Sequence, residues 1–251
     1  DVETTEADCH GHSVRARTFT NEFWTSKQRA GHSLHEISYR ACFKPQLVNF
    51  FVQRLTEPGD LVYDPFLGRG TTVVEAALLD RAATGCDVNP LSRVLTKPRL
   101  APPTLAQVSE RLRALDWTSC DSYPEDLTVF FHPETLNRIC ALRAYLRKLH
   151  AEGAMDEVDE WIEMVAVNRL TGHSPGFFSV YTLPPNQAVS IGSQRKINAR
   201  REQTPLVRDV VQLIIKKSKS LLRDCGEATR GQLAAHAAQT QLLVQASSST
   251  P

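Results

Sequence analysis

One segment constrains the fold more than any other: a short apolar run that ends in a loop containing two glycines. Leu61-Val62-Tyr63 leads into this loop, which holds Gly68 and Gly70. The residues that follow, 72–79, have the apolar density of a buried helix, and residues 82–86 are apolar again. The order of strand, loop, helix and strand predicts a βαβ unit, so a parallel, doubly wound sheet is the simplest architecture.

A carboxylate closes each of the two predicted strands. Asp64 ends the first strand and Asp87 ends the second, twenty-three residues later. Glycines in the intervening loop permit unusual backbone angles and let a ligand approach the main chain closely. A carboxylate at the end of the second strand suits hydrogen bonds from ribose hydroxyls. These features predict a site for a ligand that contains adenosine.

The chain divides into four predicted regions. Residues 1–17 are polar and lack periodicity, so we expect a flexible N-terminal arm, and residues 18–100 form the predicted α/β region. Prolines near residue 100 mark a boundary, after which residues 101–223 are mostly helical, with helical patterns at residues 105–115, 133–150, 156–170 and 207–222. Residues 224–251 are expected to return towards the α/β core, with a strand at Leu242-Leu243-Val244.

Composition excludes several classes of protein. A chain of 251 residues with 41% hydrophobic content can bury a core. No apolar run approaches the roughly 20 residues that a membrane span needs, and the first residues do not resemble a secretory signal. The six cysteines form no CxxC pair, which argues against a disulfide framework or a zinc site. We therefore expect a cytoplasmic protein without a metal site.

Positive charge is concentrated in one part of the chain. The net charge is only +1, yet residues 195–223 contain nine Lys or Arg and two acids. Such a block suits a phosphate backbone, and a solvated helical face is the alternative.

The loop sequence gives the ligand a chemical identity by resemblance. Residues 64–72, which read DPFLGRGTT, resemble the DPFxGxGTT signature of S-adenosylmethionine-dependent methyltransferases that modify exocyclic amino groups in DNA. A nicotinamide dehydrogenase would instead show GxGxxG. Lys44-Pro45 lies about twenty residues upstream, where that family places a KP motif. The resemblance spans residues 33–100 and implies a Rossmann-like methyltransferase sheet with a helical insertion or second subdomain.

The resemblance also assigns residues to the cofactor. Asp64, Phe66 and the glycines would line its amino-acid side, and Asp87 would hold the ribose. The KP motif would help to enclose the methionine end, and Asn89 would lie near the adenine. The cofactor-binding residues predicted in this way are Lys44, Pro45, Asp64, Pro65, Phe66, Gly68, Gly70, Thr71, Thr72, Asp87 and Asn89.

The catalytic motif of the family, [DNS]PP[YFW], does not occur in this sequence. Leu183-Pro184-Pro185-Asn186 is the nearest string, but it lacks both the polar residue and the aromatic residue, and Ala101-Pro102-Pro103-Thr104 fails likewise. We therefore predict no catalytic residue, and the hypothesis is that the chain is truncated or split, with the motif beyond Pro251 or on a partner chain.

The predicted substrate is double-stranded DNA with a flipped cytosine or adenine, methylated at N4 or N6. An RNA amino-methyltransferase and a cofactor-binding subunit without activity remain alternatives.

Overall fold

The computed structural model describes residues 2–9, 11–19, 31–39, 42–118, 122–183 and 189–249. Its strands are β1 (Val2–Cys9), β2 (His12–Phe19), β3 (Leu61–Asp64), β4 (Ala82–Asp87) and β5 (Gln241–Val244). Its α-helices are α1 (Pro45–Leu55), α2 (Thr71–Leu78), α3 (Leu91–Thr96), α4 (Leu105–Ala114), α5 (Pro133–Glu152), α6 (Glu157–Arg169), α7 (Ile191–Arg201), α8 (Val210–Leu221) and α9 (Glu227–Ala237). Short 3-10 helices cover Ser33–His35, Lys97–Arg99, Glu125–Val129 and Ser247–Ser249.

A parallel sheet with the order β3-β4-β5 forms the centre of the α/β part. Leu61 lies opposite Ala82, and Thr84 lies opposite Gln241. Helix α2 connects β3 with β4, as the apolar pattern predicts, while helices α3 to α9 lie between β4 and β5 in the sequence. The prediction of a mixed α/β fold with a parallel sheet is therefore confirmed, and so is the strand at residues 242–244.

Small and branched side chains fix the distance between α2 and the sheet. Val73, Val74, Ala76 and Ala77 of α2 have no exposed surface. On the sheet side, a Cβ added to Gly85 would lie 3.1 Å from Cγ2 of Val73 and 2.6 Å from the side chain of buried Leu67. The helix therefore approaches the sheet closely, and this contact fixes where α2 begins relative to the ends of the strands.

Helices α4, α5, α6 and α8 correspond to the four helical patterns predicted between residues 105 and 222. Their apolar faces meet around Trp161, which is fully buried and donates its indole N–H to the Ser218 hydroxyl at 3.0 Å. Helices α7 and α9 were not predicted. Only Gln194 is buried in α7, and only Leu233 and His236 are buried in α9, so neither helix shows a long apolar stripe.

Two strands that were not predicted occupy most of the predicted arm, residues 1–17. β1 and β2 form an antiparallel hairpin with Glu6 opposite Arg15, and these two side chains form an ion pair at 3.2 Å. Gly11 in the turn has a φ of +83°, which favours glycine. The hairpin escaped prediction because its described side chains are exposed, so no alternation of apolar residues marks the strands. The division of the chain into four regions stays a prediction.

Among the described residues, no helix combines the length and the apolar character that crossing a membrane would require.

Candidate functional site

The glycine loop is fastened at the carboxyl ends of β3 and β4. Asp64 ends β3, and its Oδ1 accepts a hydrogen bond from the Phe66 amide at 2.9 Å. Leu67 is buried, and its amide donates to the carbonyl of Cys86 at 2.9 Å. In parallel α/β sheets, ligands bind in the crevice outside this end of the strands. The loop therefore occupies the expected place for a ligand site.

Both loop glycines adopt left-handed backbone angles, with φ of +50° at Gly68 and +74° at Gly70. Gly70 precedes α2, and a Cβ at this position would lie 2.2 Å from the Thr96 hydroxyl. Both the left-handed backbone conformation and the closeness of Thr96 exclude a side chain at Gly70. The turn leaves the first amides of α2 at the loop, where they favour an acceptor or a negative charge.

Asp87 lies at the end of β4 and contacts the loop directly. Its Oδ2 accepts a hydrogen bond from the Gly68 amide at 2.8 Å, and its Oδ1 accepts one from the Asn89 amide at 2.9 Å. The carboxylate therefore ties the loop to the strand. Each oxygen keeps a second lone pair, so it can accept a further hydrogen bond. The assignment of Asp87 to a ribose stays a prediction.

The other predicted residues lie around this loop or on its flanks. Pro45 is buried at the first position of α1, where its missing N–H is not needed, and Lys44 is exposed. Thr71 is buried at the start of α2, and Thr72 is half-buried. Asn89 is exposed, and its side-chain oxygen accepts a hydrogen bond from the Leu91 amide at 3.0 Å.

Tyr39 is a residue of this site that the sequence analysis missed. Its ring would lie 3.4 Å from a Cβ at Gly68, and it lines a cavity of about 50 Å³ with Phe43, Phe66 and Arg69. Burial, assisted by the nearby charge of Asp87, raises the pKa of the Tyr39 hydroxyl. Phe66 is 77% exposed, so the loop is open to solvent on this side. A single tyrosine outside any motif gave no signal in the sequence.

A buried polar pair behind the loop was also missed. The His35 Nε2 lies 2.7 Å from Glu75 Oε2, and both residues are buried. Asn49 donates to the other Glu75 oxygen at 2.9 Å. Burial lowers the pKa of His35, although Glu75 partly opposes this. The sequence did contain a signal, because a carboxylate in an otherwise apolar helix such as α2 needs a partner.

Cavity size does not identify the site. A cavity of about 530 Å³ lies at α3 and α6, bordered by Arg93, Met155 and Thr240, and none of the loop residues lines it. We assign the site by the loop geometry instead, because the left-handed glycines, the amides of α2 and Asp87 converge there.

The cations of the basic block, residues 195–223, differ in their partners and exposure. Lys217 donates to the Glu36 carbonyl, and Arg223 pairs with the Glu36 carboxylate at 3.0 Å, so both hold the segment before the KP motif. The Arg201 guanidinium lies 3.7 Å from the ring centroid of Tyr181. Three other exposed cations lie on α7, namely Arg195, Lys196 and Arg200.

The two proline strings considered for catalysis have different outcomes. Thr104 of the first string caps α4, with its hydroxyl accepting from the Gln107 amide, which is a structural role. Pro184, Pro185 and Asn186 of the second string lie outside the described residues. The neighbouring Phe177 and Phe178 are both buried.

Comparisons with known proteins agree with the methyltransferase resemblance of the loop sequence. Residues 4–92 match a family model described as DNA methylase. The type II methyltransferase M.MjaII of Methanocaldococcus jannaschii is 35% identical over 77 residues, which are 30% of this chain and 14% of that protein. M.MvaI of Kocuria varians is 28% identical over 111 residues, 43% of this chain and 23% of that protein. M.BsoBI of Geobacillus stearothermophilus is 31% identical over 84 residues, 33% of this chain and 16% of that protein.

The matched segments thus span between 14% and 23% of the length of these relatives. No solved structure matches this chain. The region of similarity contains β3, the glycine loop and Asp87. The predicted resemblance is therefore confirmed, because residues 4–92 match a DNA methylase family model of the N4/N6 amino-methyltransferase type.

Proposed function

We propose that this chain forms the cofactor-binding part of a DNA methyltransferase that methylates the N4 amine of cytosine or the N6 amine of adenine. The observation that carries the proposal is the loop from Asp64 to Thr72, held at the carboxyl ends of β3 and β4 with Asp87 beside it. The DNA methylase family model and the three relatives, all named as type II methyltransferases, support DNA methylation as the setting.

The residues present suit S-adenosylmethionine. Gly68 and Gly70 let the cofactor approach the main chain, and the first amides of α2 face an acceptor there. Asp87 accepts a hydrogen bond from a ribose hydroxyl through its remaining lone pairs, and Lys44-Pro45 encloses the methionine end of the cofactor. When bound, the cofactor supplies a methyl group already activated on a sulfonium. The strands β3, β4 and β5 then belong to a Rossmann-like methyltransferase sheet.

The substrate in this proposal is double-stranded DNA whose target base is flipped out of the helix. The exposed cations Arg195, Lys196 and Arg200 on α7 offer contacts to phosphates, because they are solvent-accessible and lie on one helix. Methyl transfer to an amine requires mainly that the lone pair of the amine be aimed at the methyl group.

We further propose that a PP-aromatic motif supplied by residues outside the 251, in the same polypeptide or in a partner chain, aims the amine. Exposed apolar side chains at the loop support this placement. Phe66 in the loop is 77% exposed, and Phe43, which borders the same cavity, is 45% exposed. Large apolar side chains in such a group are typical of surfaces that another segment covers. Within the described residues, β3 pairs with β4 alone.

A methyl-transfer assay with tritium-labelled S-adenosylmethionine tests the proposal. We offer duplex DNA and structured RNA separately to the full native gene product and to this chain alone. The expected result is label in DNA, in the amines of cytosine or adenine, with the native product but not with this chain. Label in RNA alone would support an RNA amino-methyltransferase. Cofactor binding without transfer by the native product would support a non-catalytic subunit. Either result contradicts the proposed activity.

A further inference from the structure

The residue between the two loop glycines, Arg69, reaches away from the loop into the protein. Its Nη1 donates to the carbonyls of His35 at 3.2 Å and Ile37 at 2.9 Å. Its Nη2 donates to the Phe43 carbonyl at 3.3 Å, and its Nε donates to the Thr71 hydroxyl at 3.0 Å. One guanidinium therefore joins the loop and the start of α2 to the segment that leads into Lys44-Pro45.

A second arginine, Arg99, holds the same loop from the interior. Its exposed fraction is 0%. Its Nε donates to the Leu95 carbonyl at 2.7 Å and its Nη1 to the Leu34 carbonyl at 3.2 Å. Its Nη2 donates to the main-chain carbonyl of Arg69 itself. The backbone of the loop is thus attached to residues on both sides of it in the sequence.

These two cations have backbone and hydroxyl partners in place of a counter-charge. Among the described residues, none of the ion pairs involves either guanidinium. Burial, with the charge of Arg69, lowers the pKa of Arg99 to about 9. A buried charge without a counter-charge opposes folding, so a hydrophobic side chain in this space would destabilise the folded protein less. What the arginines provide instead is a planar fork of donors that can bridge several carbonyls at once.

We propose that Arg69 and Arg99 are positioning residues that hold the cofactor loop, residues 64–70, against the main chain at residues 34–37 and 43. This inference rests on the proposed function, because the loop and the residues before the KP motif form two walls of the proposed cofactor site. Neither arginine needs to touch the cofactor. Their bonds keep the two walls at a fixed separation before binding, so that the cofactor meets a preformed site.

The chain offers a matched control in Arg81. This arginine is also buried, and it also donates to main-chain carbonyls, those of Leu79 and Thr56. Unlike Arg69 and Arg99, it follows the far end of α2 and makes none of its bonds to the loop. Arg81→Lys therefore reports what the loss of a buried arginine network does to folding alone.

The test measures calorimetric affinity for S-adenosylhomocysteine and hydrogen exchange of residues 64–70 without ligand, in the parent, Arg69→Lys, Arg99→Lys and Arg81→Lys. Lysine keeps the charge but cannot span the carbonyls. We expect the first two variants to weaken binding by about tenfold or more and to speed exchange in the loop, since each loses several hydrogen bonds. Arg81→Lys should lower the melting temperature without changing either readout.

The proposal is overturned if Arg69→Lys binds within about twofold of the parent affinity and its loop exchanges at the parent rate. Arg69 is only partly buried, so this variant decides the matter even where Arg99→Lys does not fold. A parent protein that does not bind S-adenosylhomocysteine would contradict the proposed function instead. The exchange rates would still show whether the arginines hold the loop.

Discussion

At the scale of single residues, Gly70 shows most clearly how the sequence determines the site. Its left-handed φ of +74° and the contact of its absent Cβ with Thr96 act together. The first requirement is conformational and the second is steric. Both arise because the loop passes close to Thr96, which directly precedes the 3-10 helix Lys97–Arg99. Gly153 has similar backbone angles but open surroundings, so a comparison of the two glycines separates the conformational requirement from the steric one.

We predict that Gly70→Ala lowers the free energy of unfolding by about 3 kcal/mol and Gly153→Ala by about 1 kcal/mol. Gly153 has a φ of +65°, and a Cβ there would meet no atom within 4 Å. The difference between the variants therefore isolates the clash with Thr96. Urea denaturation of both variants measures it. Equal losses would show that Thr96 moves aside without cost and that the tight packing described here is wrong.

At the scale of elements, the buried pair of His35 and Glu75 fastens the 3-10 helix Ser33–His35 to α2. Burial lowers the pKa of His35 from its ordinary value of 6.5. In the unfolded chain this histidine takes up a proton below about pH 6.5, whereas the folded protein keeps it neutral until a lower pH. The unfolded state thus binds more protons in that window, so stability is full above it and is lost as the pH falls through it.

We therefore expect the parent to lose stability between about pH 7.5 and pH 5.5 that His35→Gln does not lose, at most about 1.4 kcal/mol per pH unit for one proton. Urea midpoints at both pH values measure the difference. His150→Gln, which changes an exposed histidine paired with Glu163 at 3.1 Å, is the control and should keep the parent's loss. The same slope in His35→Gln as in the parent would show that His35 is not the group responsible.

Elements were predictable where apolar residues repeat with a clear period. The run before Asp64, the dense apolar residues of α2 and the four amphipathic patterns between residues 105 and 222 all formed the expected elements. The hairpin β1-β2 and helix α7 were missed because their described side chains are largely exposed, so no apolar periodicity marks these elements in the sequence.

The candidate site was predictable only where a motif covers it. Asp64, Gly68, Gly70 and Asp87 converge at one end of the sheet, as their positions at strand ends require. Tyr39 and Arg99 reach the loop through tertiary contacts with distant parts of the chain. Their sequence neighbourhoods contain no pattern that specifies such contacts, so only the structure reveals them.

At the scale of the whole molecule, the chain combines a glycine loop held by hydrogen bonds with exposed apolar side chains around it. The loop donates a hydrogen bond to Asp87 and is held by Arg69 and buried Arg99, yet Phe66 in the loop is 77% exposed and Phe43 beside it is 45% exposed. The site is therefore ordered on its inner side and open on its outer side. This arrangement fits a cofactor half of an active site, and the half that aims the amine would cover the exposed face.

The measurement that tests this account most directly is a calorimetric titration of this chain with S-adenosylhomocysteine, beside Asp87→Asn and the control Asp60→Asn. Asp60 accepts the Glu57 amide at 2.9 Å, at the other end of β3. We predict binding of one ligand per chain, weakened about tenfold or more in Asp87→Asn and unchanged in the control, because a hydrogen bond to a charged acceptor is lost. Absence of binding by the parent, or equal affinity in Asp87→Asn, would contradict the account.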